Sequence, residues 1–412
     1  MRARPRFGVM VVLLVLTLPC WLCWPPGVLR ADGPPGDEDS QAATSEELAE
    51  ATTRVDFPLK SEAAVLMDAV TGQVLYAKEP HKKWPPASLT KILTLALACE
   101  ALEQGKVKPE DIVVASENAW EMGGSEIWLE PGEEMPLSDL LLAVAVGSAN
   151  DAAVAVAEYL AGSEAKFVEW MNEKARALGC QNTHFANSHG LDEEGHLTTA
   201  YDLALISRYA LRFPEVVRLS SLREAWIRQN TDKKSWLVSR NRLLVTYPGA
   251  TGLKTGHTSK AGYCLVGSAR KDDREFLAVI LGAPDPATRF REATQLLNYA
   301  FATFTPVVAA RQGEEVGKVK VTRGRERWVP ALAGADLALS VEKDKADRVE
   351  RVVQLQPRVN APVKAGDELG SMALHLEGQE LARIPLVAAR DVQKSTLLGL
   401  MGQTIARFFS LR

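Results

Sequence analysis

The sequence predicts an α+β domain followed by a small all-β domain. Over residues 53–305, a hairpin-like pattern lies near each end and long apolar helical segments lie between them, which predicts one antiparallel sheet covered by helices. After Pro306 the apolar segments become short, partly alternating and separated by charged turns, which predicts a β domain over residues 311–390. With 412 residues, 46% of them hydrophobic, the chain is long enough to bury at least one large core.

Each predicted hairpin consists of two apolar runs on either side of a turn. Glycine and short polar side chains favour the turn, and apolar β-formers favour the strands. The runs are Ala64–Met67 and Val74–Tyr76 around Thr71-Gly72, and Gly262–Ala269 and Glu275–Leu281 around Lys271-Asp272-Asp273. In the β domain, strands are predicted at Val316–Val321, Leu337–Val341 and Val349–Leu355.

The helices are predicted from longer apolar segments. Leu137–Leu160 is strongly helical in composition, with Ser138 as its N-cap, and glycine and short polar side chains interrupt it at Gly147–Asn150. Further helices are predicted at about Ser88–Glu103, 164–178, 199–212 and Glu292–Phe304.

The N-terminus has the pattern of a secretory signal. Three arginines within the first six residues precede an uncharged apolar run from Gly8 to Trp24. We predict a signal peptide over residues 1–31 and hence an exported, extracytoplasmic protein, with an uncleaved membrane anchor as the alternative. Residues 32–52 begin with Gly-Pro-Pro-Gly and continue with acidic and small residues, which predicts a flexible linker.

The composition gives no indication of a nucleic-acid partner or a cofactor. The net charge is −4, and no glycine-rich phosphate loop occurs in the sequence. Three histidines are clustered, but without a His-Glu-x-x-His helix or supporting cysteines they predict packing or hydrogen bonding rather than a metal site. These are His184, His189 and His196. Outside the signal, Cys99, Cys180 and Cys264 are far apart and leave one disulfide open.

Three short motifs occur in order along the α+β domain. They are Ser88-Leu89-Thr90-Lys91 at the start of the first long helix, Ser148-Ala149-Asn150 at the helix break, and Lys254-Thr255-Gly256 just before the second hairpin. A Ser-x-x-Lys spacing alone is weak, because it occurs at three other places in the chain. Only Ser88 follows Pro85-Pro86-Ala87 and begins an apolar run that is expected to be buried.

The first motif predicts an activated nucleophile. A serine hydroxyl needs an adjacent base, and the three-residue offset places the Lys91 amine on the same helix face as the Ser88 hydroxyl. Burial, the helix N-terminus and the charge of Lys254 would each disfavour the charged amine, so that Lys91 can accept the serine proton. The alternative is an ordinary helix start with a lysine that reaches the surface.

The other two motifs predict groups that handle the substrate. Ser148 would relay a proton between Lys91 and a leaving amine, and Asn150 would donate to an amide carbonyl. Lys254 would supply a fixed positive charge beside an edge strand for a substrate carboxylate, with Thr255 adding a hydrogen bond and Gly256 allowing close approach. The alternatives are a helix-connecting turn and an ordinary lysine at the end of a strand.

Together the motifs match those of penicillin-binding proteins and serine β-lactamases. The chain resembles the low-molecular-mass D-alanyl-D-alanine carboxypeptidases, the S11 peptidase family, over about residues 55–390. Three further segments carry this resemblance: Gly124–Glu133, Asn187–Leu191 and Lys254–Thr258. The resemblance implies a serine β-lactamase/transpeptidase-like fold and removal of the terminal D-alanine of peptidoglycan stem peptides, without a cofactor and with β-lactams as covalent inhibitors.

The resemblance also implies roles for the motif residues. Ser88 forms the acyl-enzyme, Lys91 accepts the proton, Ser148 and Asn150 complete the proton path and substrate contacts, Lys254 binds the substrate carboxylate, and His257 borders that pocket. The oxyanion hole is expected to use backbone N–H groups of Ser88 and of a residue on the strand that bears Lys254. Ala149 departs from the commoner glycine or aspartate and is expected to tune the pocket.

The last segment, residues 391–412, predicts a basic amphipathic helix. Its apolar residues fall on one side at helical spacing, and it is too short and polar to span a bilayer comfortably. We expect it to lie on the outer face of the cytoplasmic membrane; packing against the β domain is the alternative.

Three other functions remain open from the sequence. A β-lactamase would use similar motifs but needs a carboxylate that activates water, and no Glu-x-x-Leu-Asn type segment is found. An endopeptidase that cleaves peptide crosslinks would attack the same type of bond. A catalytically dead penicillin sensor or scaffold would have lost the chemistry of Ser88, Lys91 or Lys254, and all three residues are present.

Overall fold

The computed structural model describes residues 57–396. The predicted signal peptide and linker, and the predicted C-terminal helix beyond residue 396, lie outside the described residues. Among the helices of residues 57–396, none is long and apolar enough to cross a membrane.

The α+β part contains one large sheet, two small ones and helices that cover the large sheet. Its strands are β1 (Ala63–Asp68), β2 (Val74–Lys78), β3 (Ile112–Val114), β4 (Glu134–Pro136), β5 (Glu224–Ile227), β6 (Ser235–Val238), β7 (Ala250–Thr258), β8 (Gly262–Lys271) and β9 (Arg274–Ala283). Its α-helices are α1 (Lys91–Glu103), α2 (Glu117–Trp120), α3 (Leu137–Leu142), α4 (Asn150–Ala161), α5 (Glu164–Ala177), α6 (Ala200–Ala210), α7 (Pro214–Ser220), α8 (Leu243–Thr246) and α9 (Pro286–Thr303).

The large sheet is antiparallel and has the order β2-β1-β9-β8-β7. Both predicted hairpins contribute to it, as expected, and β7 adds an edge strand that carries Lys254. The central strands are buried on both faces. Along β1, the side chains of Val65 and Met67 enter one apolar cluster and those of Ala64 and Leu66 enter the other, as the alternation of a strand requires. Helix α9 belongs to the second cluster, while α1, α4 and α6 belong to the first.

The predicted helix Leu137–Leu160 is interrupted where glycine and short polar residues predict a break. Helix α3 continues into a π-helical turn, Ala143–Gly147, and α4 begins at Asn150. The predicted N-cap, Ser138, is wrong, because Pro136 occupies that position. The backbone N–H groups of Leu137 and Ser138 donate to Asp111 O and Pro109 O, so carbonyls of the segment before β3 replace a side-chain cap.

Two other predicted helix boundaries shift. The segment from Ser88 begins as a 3₁₀ turn, Ala87–Thr90, and becomes α-helical only at Lys91. The helix predicted from Glu292 begins earlier, at Pro286, because Asp285 caps it by accepting from Thr288 N at 2.8 Å. An aspartate followed by a proline is a helix-start signal.

The C-terminal part is all β. Its strands are β10 (Phe304–Ala310), β11 (Glu315–Thr322), β12 (Trp328–Ala333), β13 (Leu337–Glu342), β14 (Val349–Leu355), β15 (Val359–Asn360), β16 (Glu368–Leu376) and β17 (Gln379–Ala388). Six of them form one sheet, in the order β14-β16-β17-β12-β11-β15, around a separate apolar core, and β10 pairs with β13. The three strands predicted in this region correspond to β11, β13 and β14.

Strand β13 is hydrogen-bonded to the turn between β1 and β2. Ser340 N donates to Gln73 Oε1 at 2.8 Å, and Ser340 Oγ donates to the buried carboxylate of Asp68. Asp68 also accepts from Val70 N at 2.7 Å and Thr71 N at 3.0 Å, within its own turn. The same carboxylate therefore shapes a turn of the α+β part and binds the β domain.

Residues 391–396 differ from the prediction, which placed a helix from residue 391. They are extended: Val392 forms a β-bridge with Val363, Lys394 forms one with Gly324, and Ser395 N donates to Arg323 O at 2.8 Å. These bonds to the β domain exclude a helix that begins before residue 397.

The three cysteines of the described residues are buried free thiols. The disulfide that the sequence left open is therefore absent among Cys99, Cys180 and Cys264. Burial raises the pKa of Cys99 and of Cys264 to about 12, so both remain protonated thiols.

Candidate active site

Ser88 lies in the 3₁₀ turn that precedes α1, between two glycines of other segments. A Cβ on Gly190 would lie 1.9 Å from Ala87 O, and a Cβ on Gly256 would lie 3.2 Å from Ser88 N. Gly190 also has φ +95°, which favours glycine. A hydrogen bond within the turn also stabilises it, since Thr90 Oγ1 donates to Ala87 O at 2.9 Å. Only glycine fits at 190, and the small residue at 256 leaves the backbone N–H of Ser88 uncovered.

Lys91 is fully buried, and its amine contacts three acceptors. Its Nζ lies 3.4 Å from Ser88 Oγ and donates to Asn150 Oδ1 at 2.6 Å and to His189 O at 2.5 Å. Burial lowers the pKa of Lys91 well below its ordinary value, and the charge of Lys254 lowers it further, while Asp151 partly opposes both. A neutral amine beside a serine hydroxyl is a base that can accept its proton.

Ser148 lies at the end of the π-helical turn, in the left-handed conformation with φ +62°. Its Oγ accepts from Lys254 Nζ at 2.8 Å. The turn that holds it packs against the β5–β6 hairpin, since Leu237 Cδ2 would lie 3.3 Å from a Cβ on Gly147. Ser148 therefore connects the helical side of the site to the edge strand.

Asn150 holds both the lysine and a neighbouring loop. Besides accepting from Lys91, it donates from Nδ2 to Gly123 O at 2.6 Å and from its backbone N to Ser125 O at 2.7 Å. The next residue, Asp151, accepts from the backbone N of Ile127 and of Leu129, at 3.0 and 3.1 Å. The Gly124–Glu133 segment that the resemblance singled out is thus tied to the start of α4. The alanine between Ser148 and Asn150 is fully buried.

Lys254 is buried on the edge strand β7. Burial, with the charges of Arg240 and Arg289, lowers the pKa of Lys254 to about 7. The Lys254 amine therefore changes its charge near neutral pH, whereas the sequence analysis expected a fixed positive charge. A carboxylate bound against this amine would favour the charged form and raise the pKa again.

Two arginines near Lys254 were missed by the sequence analysis. Arg289 on α9 is buried and donates from Nη1 to Gly256 O at 2.9 Å and to Cys264 O at 3.2 Å. These bonds connect α9 to the backbone of β7 and β8. Arg240 is exposed and lines a small pocket with Lys254. The other residues of this pocket are Ala145, Val146, Ser148, Ser239, Asn241, Leu253 and Thr255. An arginine inside a predicted helix or loop carries no motif, so only tertiary structure reveals these two.

The remaining predicted residues lie along β7. Thr255 is buried and lines the same pocket as Lys254. Gly256 follows and packs against the Ser88 turn. His257 is exposed, and its ring stacks on Tyr263 with centroids 4.3 Å apart, outside the residues that line the pocket.

The Asn187–Leu191 segment packs against the first turns of α1. His189 O accepts from Lys91 Nζ, and Ser188 O accepts from Thr94 Oγ1 at 2.6 Å. Burial lowers the pKa of His189 to about 3, and its imidazole is therefore neutral. Within the described residues, no group of three metal-ligating side chains comes together.

The geometry thus forms two hydrogen-bonded groups, one of Ser88, Lys91 and Asn150 and the other of Ser148 and Lys254. Comparison with known families gives the same direction: residues 49–285 match the family model of D-alanyl-D-alanine carboxypeptidase, and residues 304–394 match that of the penicillin-binding protein 5 C-terminal domain. The chain belongs to the S11 D-alanyl-D-alanine carboxypeptidases.

Individual members of the family are similar over most of the chain. The D-alanyl-D-alanine carboxypeptidase DacF of Bacillus subtilis is 40% identical over 347 residues, which are 84% of this chain and 89% of that protein. Penicillin-binding protein 5 of Haemophilus influenzae has 32% identity and a TM-score of 0.75, covering 82% of this chain and 99% of its own. Penicillin-binding protein D2 of Listeria monocytogenes, solved in an ampicillin-bound form, has 30% identity and a TM-score of 0.54, covering 60% of this chain and 100% of its own.

Membership of the S11 family fixes the fold and the reaction. The α+β part is a transpeptidase-like domain, and an all-β domain of the penicillin-binding protein 5 type follows it. The protein is a serine-type D-Ala-D-Ala carboxypeptidase of peptidoglycan metabolism.

Proposed function

We propose that Ser88 is the nucleophile of this carboxypeptidase and that Lys91 is its base. Ser88 Oγ attacks the carbonyl carbon of the penultimate D-alanine while its proton passes to the neutral Lys91 Nζ. The tetrahedral oxyanion is stabilised by the backbone N–H of Ser88 and by a second N–H on β7. The C–N bond then breaks, D-alanine leaves with a proton on its amine, and water hydrolyses the ester to release the shortened stem peptide.

The observation that carries this proposal is the environment of Lys91. A lysine that is fully buried at the first turn of an apolar helix, 3.4 Å from a serine hydroxyl and with a lowered pKa, is costly unless its neutral form has a use. A lysine that merely reaches the surface does not account for this burial.

Ser148 is proposed to carry the proton to the leaving amine. The Ser148 hydroxyl accepts from Lys254 at 2.8 Å. Lys91 donates at 2.6 Å to Asn150, which lies two residues after Ser148 in the chain. Asn150 then has two proposed tasks: its Oδ1 orients the Lys91 amine, and the second N–H of its Nδ2, beyond the bond to Gly123 O, binds the substrate amide carbonyl.

The leaving D-alanine ends in a carboxylate, and the cationic end of the site suits it. We propose that Lys254 and Thr255 bind this carboxylate, with Gly256 allowing its approach and His257 at the border of the pocket. Arg240, exposed at the same pocket, adds a second cation. Two adjacent cations select substrates with a free C-terminus over internal peptide bonds, which favours carboxypeptidase over endopeptidase action.

β-Lactam antibiotics are proposed to acylate Ser88 in the same way. The strained lactam carbonyl takes the place of the scissile amide, and its ring carboxylate takes the place of the D-alanine carboxylate. The ampicillin-bound form of the Listeria protein, which is 30% identical to this chain, supports this.

We further propose that the enzyme works outside the cytoplasm, at the outer face of the cytoplasmic membrane. The signal pattern of residues 1–31 supports export, and the apolar side of the C-terminal segment supports peripheral attachment. The proposed domain limits remain 53–305 and 311–390, with the linker at 32–52. Because residues 391–396 are hydrogen-bonded to the β domain, the proposed membrane attachment rests on the sequence beyond residue 396.

Intact mass spectrometry after penicillin treatment tests the nucleophile. The wild type is expected to gain the mass of one penicillin, and Ser88→Ala is expected to gain none; an adduct that persists in Ser88→Ala would refute the assignment. Activity is tested by release of D-alanine from a pentapeptide, set against turnover of nitrocefin. Fast nitrocefin turnover without D-alanine release would indicate a β-lactamase, and binding without either reaction would indicate a penicillin sensor.

A further inference from the structure

A chain of three hydrogen bonds runs from Ala186 N through the buried His196 and Thr90 to the carbonyl of the peptide bond between Ala87 and Ser88. His196 lies between the Asn187–Leu191 segment and α6, and it belongs to none of the motifs. Its Nδ1 lies 2.9 Å from Ala186 N, its Nε2 lies 2.8 Å from Thr90 Oγ1, and Thr90 Oγ1 lies 2.9 Å from Ala87 O. Both His196 and Thr90 are buried, so water does not compete for these bonds.

The direction of every bond in this chain is determined by its ends. A backbone N–H can only donate, so His196 Nδ1 is the acceptor and its proton must be on Nε2. Nε2–H then donates to Thr90 Oγ1, and the Thr90 hydroxyl donates to Ala87 O, because a carbonyl can only accept. Burial lowers the pKa of His196 to about 3, which keeps the ring neutral and preserves this arrangement.

The last acceptor matters because of peptide geometry. Ala87 O and Ser88 N belong to the same planar peptide unit, in which the C=O and the N–H point in opposite directions. Fixing the direction of the carbonyl therefore fixes the direction of the Ser88 N–H. Ala87 has φ +50°, a strained conformation for alanine, so this peptide unit needs a partner to stay in place.

We infer that His196 and Thr90 are positioning residues that aim the Ser88 N–H into the oxyanion hole. The inference rests on the proposed role of Ser88. Neither side chain touches the reacting atoms; both act through Ala87 O. Gly256 complements them from the other side, since a Cβ there would lie 3.2 Å from Ser88 N and crowd the space in which the oxyanion forms.

Two variants at Thr90 isolate the hydroxyl. Thr90→Val has the same shape without the donor, and Thr90→Ser keeps the donor without the methyl group. Thr90→Val is expected to lower the rate constant of acylation by a fluorescent penicillin about 10-fold, less than the loss of a complete oxyanion-hole donor, with little change in its non-covalent dissociation constant. Thr90→Ser is expected to acylate at close to the wild-type rate.

Infrared spectroscopy of the acyl-enzyme gives a readout that a purely structural role would not change. Hydrogen bonds from the oxyanion hole polarise the ester carbonyl of the penicilloyl-enzyme and lower its stretching frequency. In Thr90→Val this band is expected at a higher frequency than in the wild type, and in Thr90→Ser at the wild-type position. A Thr90→Val enzyme that loses thermal stability but keeps the acylation rate and the carbonyl frequency would overturn the inference.

A second pair of variants decides the matter if Thr90→Val fails to fold. His196→Gln keeps both a donor and an acceptor in the chain, while His196→Leu keeps neither. His196→Leu is expected to reproduce the slower acylation and the shifted band, and His196→Gln to restore both in part; equal behaviour of the two would overturn the inference. If the wild type forms no adduct at Ser88, the proposed nucleophile itself fails, an outcome distinct from normal acylation of all four variants.

Discussion

Lys254 Nζ lies 2.8 Å from Ser148 Oγ, so the edge strand and the π-helical turn meet at a hydrogen bond between a cation and a hydroxyl. The Lys91 amine is also buried, and after burial the charge of Lys254 is the main cause that lowers the pKa of Lys91. The proposed mechanism needs one of them neutral and the other charged. This difference leads directly to the pH dependence.

The value of kcat/KM for a peptide ending in D-Ala-D-Ala is expected to fall as the pH rises through about 7. The pKa of Lys254 in the free enzyme is lowered to about 7, so above that pH the amine is neutral and no longer attracts the substrate carboxylate. Burial and the charge of Lys254 lower the pKa of Lys91 well below its ordinary value, and because the proposed base must be neutral, its deprotonation gives the rising limb of the profile. A pH profile measured with the matching C-terminal amide is the control, and it should lack the falling limb. A falling limb of equal size with both substrates would contradict the assignment of Lys254.

Replacing Arg240 by glutamine is expected to raise the pKa of Lys254 and to move the falling limb to higher pH. After burial, the charge of Arg240 contributes most to lowering this pKa. Because Arg240 is exposed, KM for the peptide acid is expected to rise only about fivefold. The pH profile of Arg240→Gln, compared with that of Arg325→Gln on the exposed surface of the β domain, checks this. If the falling limb of the pH profile does not shift in Arg240→Gln, Arg240 does not affect the pKa of Lys254.

Replacing Asp151 by asparagine is expected to destabilise the fold by about 2 kcal/mol. Its carboxylate accepts from the backbone N–H groups of Ile127, Leu129 and Ala152, and an amide presents an N–H to at least one of these donors. Asp151 also raises the pKa of Lys91, so its loss should move the rising limb of the pH profile to lower pH. Urea unfolding and the pH profile measure the two effects separately. A rising limb at unchanged pH would show that Asp151 does not affect the pKa of Lys91.

Replacing Gly190 by alanine is expected to cost about 3 kcal/mol, because a new Cβ would lie 1.9 Å from Ala87 O and φ is +95°. Gly132 provides the control, since its φ of +79° is similar but nothing lies within 4 Å of its Cβ position. Gly132→Ala should cost only about 1 kcal/mol. Denaturant unfolding of both variants measures the difference, and penicillin acylation should slow only in Gly190→Ala. Equal costs would show that the Ser88 turn moves aside freely.

The sequence predicted the parts of the fold that depend on local pattern. Apolar runs on either side of a turn located β1, β2, β8 and β9, and glycine with short polar residues located the break at Gly147–Asn150. The start of α3 at Leu137 was predicted, but its N-cap was not, because backbone carbonyls of Pro109 and Asp111, far back in the sequence, accept from the first N–H groups of the helix. Residues 391–396 were assigned to a helix because their bonds to the β domain are made with residues far back in the chain.

The candidate site was predictable where spacing along one element determines it. Ser88 and Lys91 are one turn apart, so the sequence alone places them together. Arg240 and Arg289 were missed because each reaches the site from a different element and belongs to no short motif. His196 was predicted to pack or form hydrogen bonds, as it does, but its connection to the Ser88 turn depends on tertiary structure. The charge state of Lys254 was also missed, since it depends on burial and on those arginines rather than on its neighbours in the chain.

Gly190 and Gly256 pack closely against the Ser88 turn. This close packing limits the substitutions that could make the enzyme resistant to an antibiotic. A side chain at 190 would displace the turn that carries Ser88, the proposed nucleophile, and one at 256 would crowd it, so such changes are expected to impair the reaction with the substrate as well as with the antibiotic. Resistance mutations are therefore expected at exposed positions near the site, such as Arg240 and His257, rather than at these two glycines.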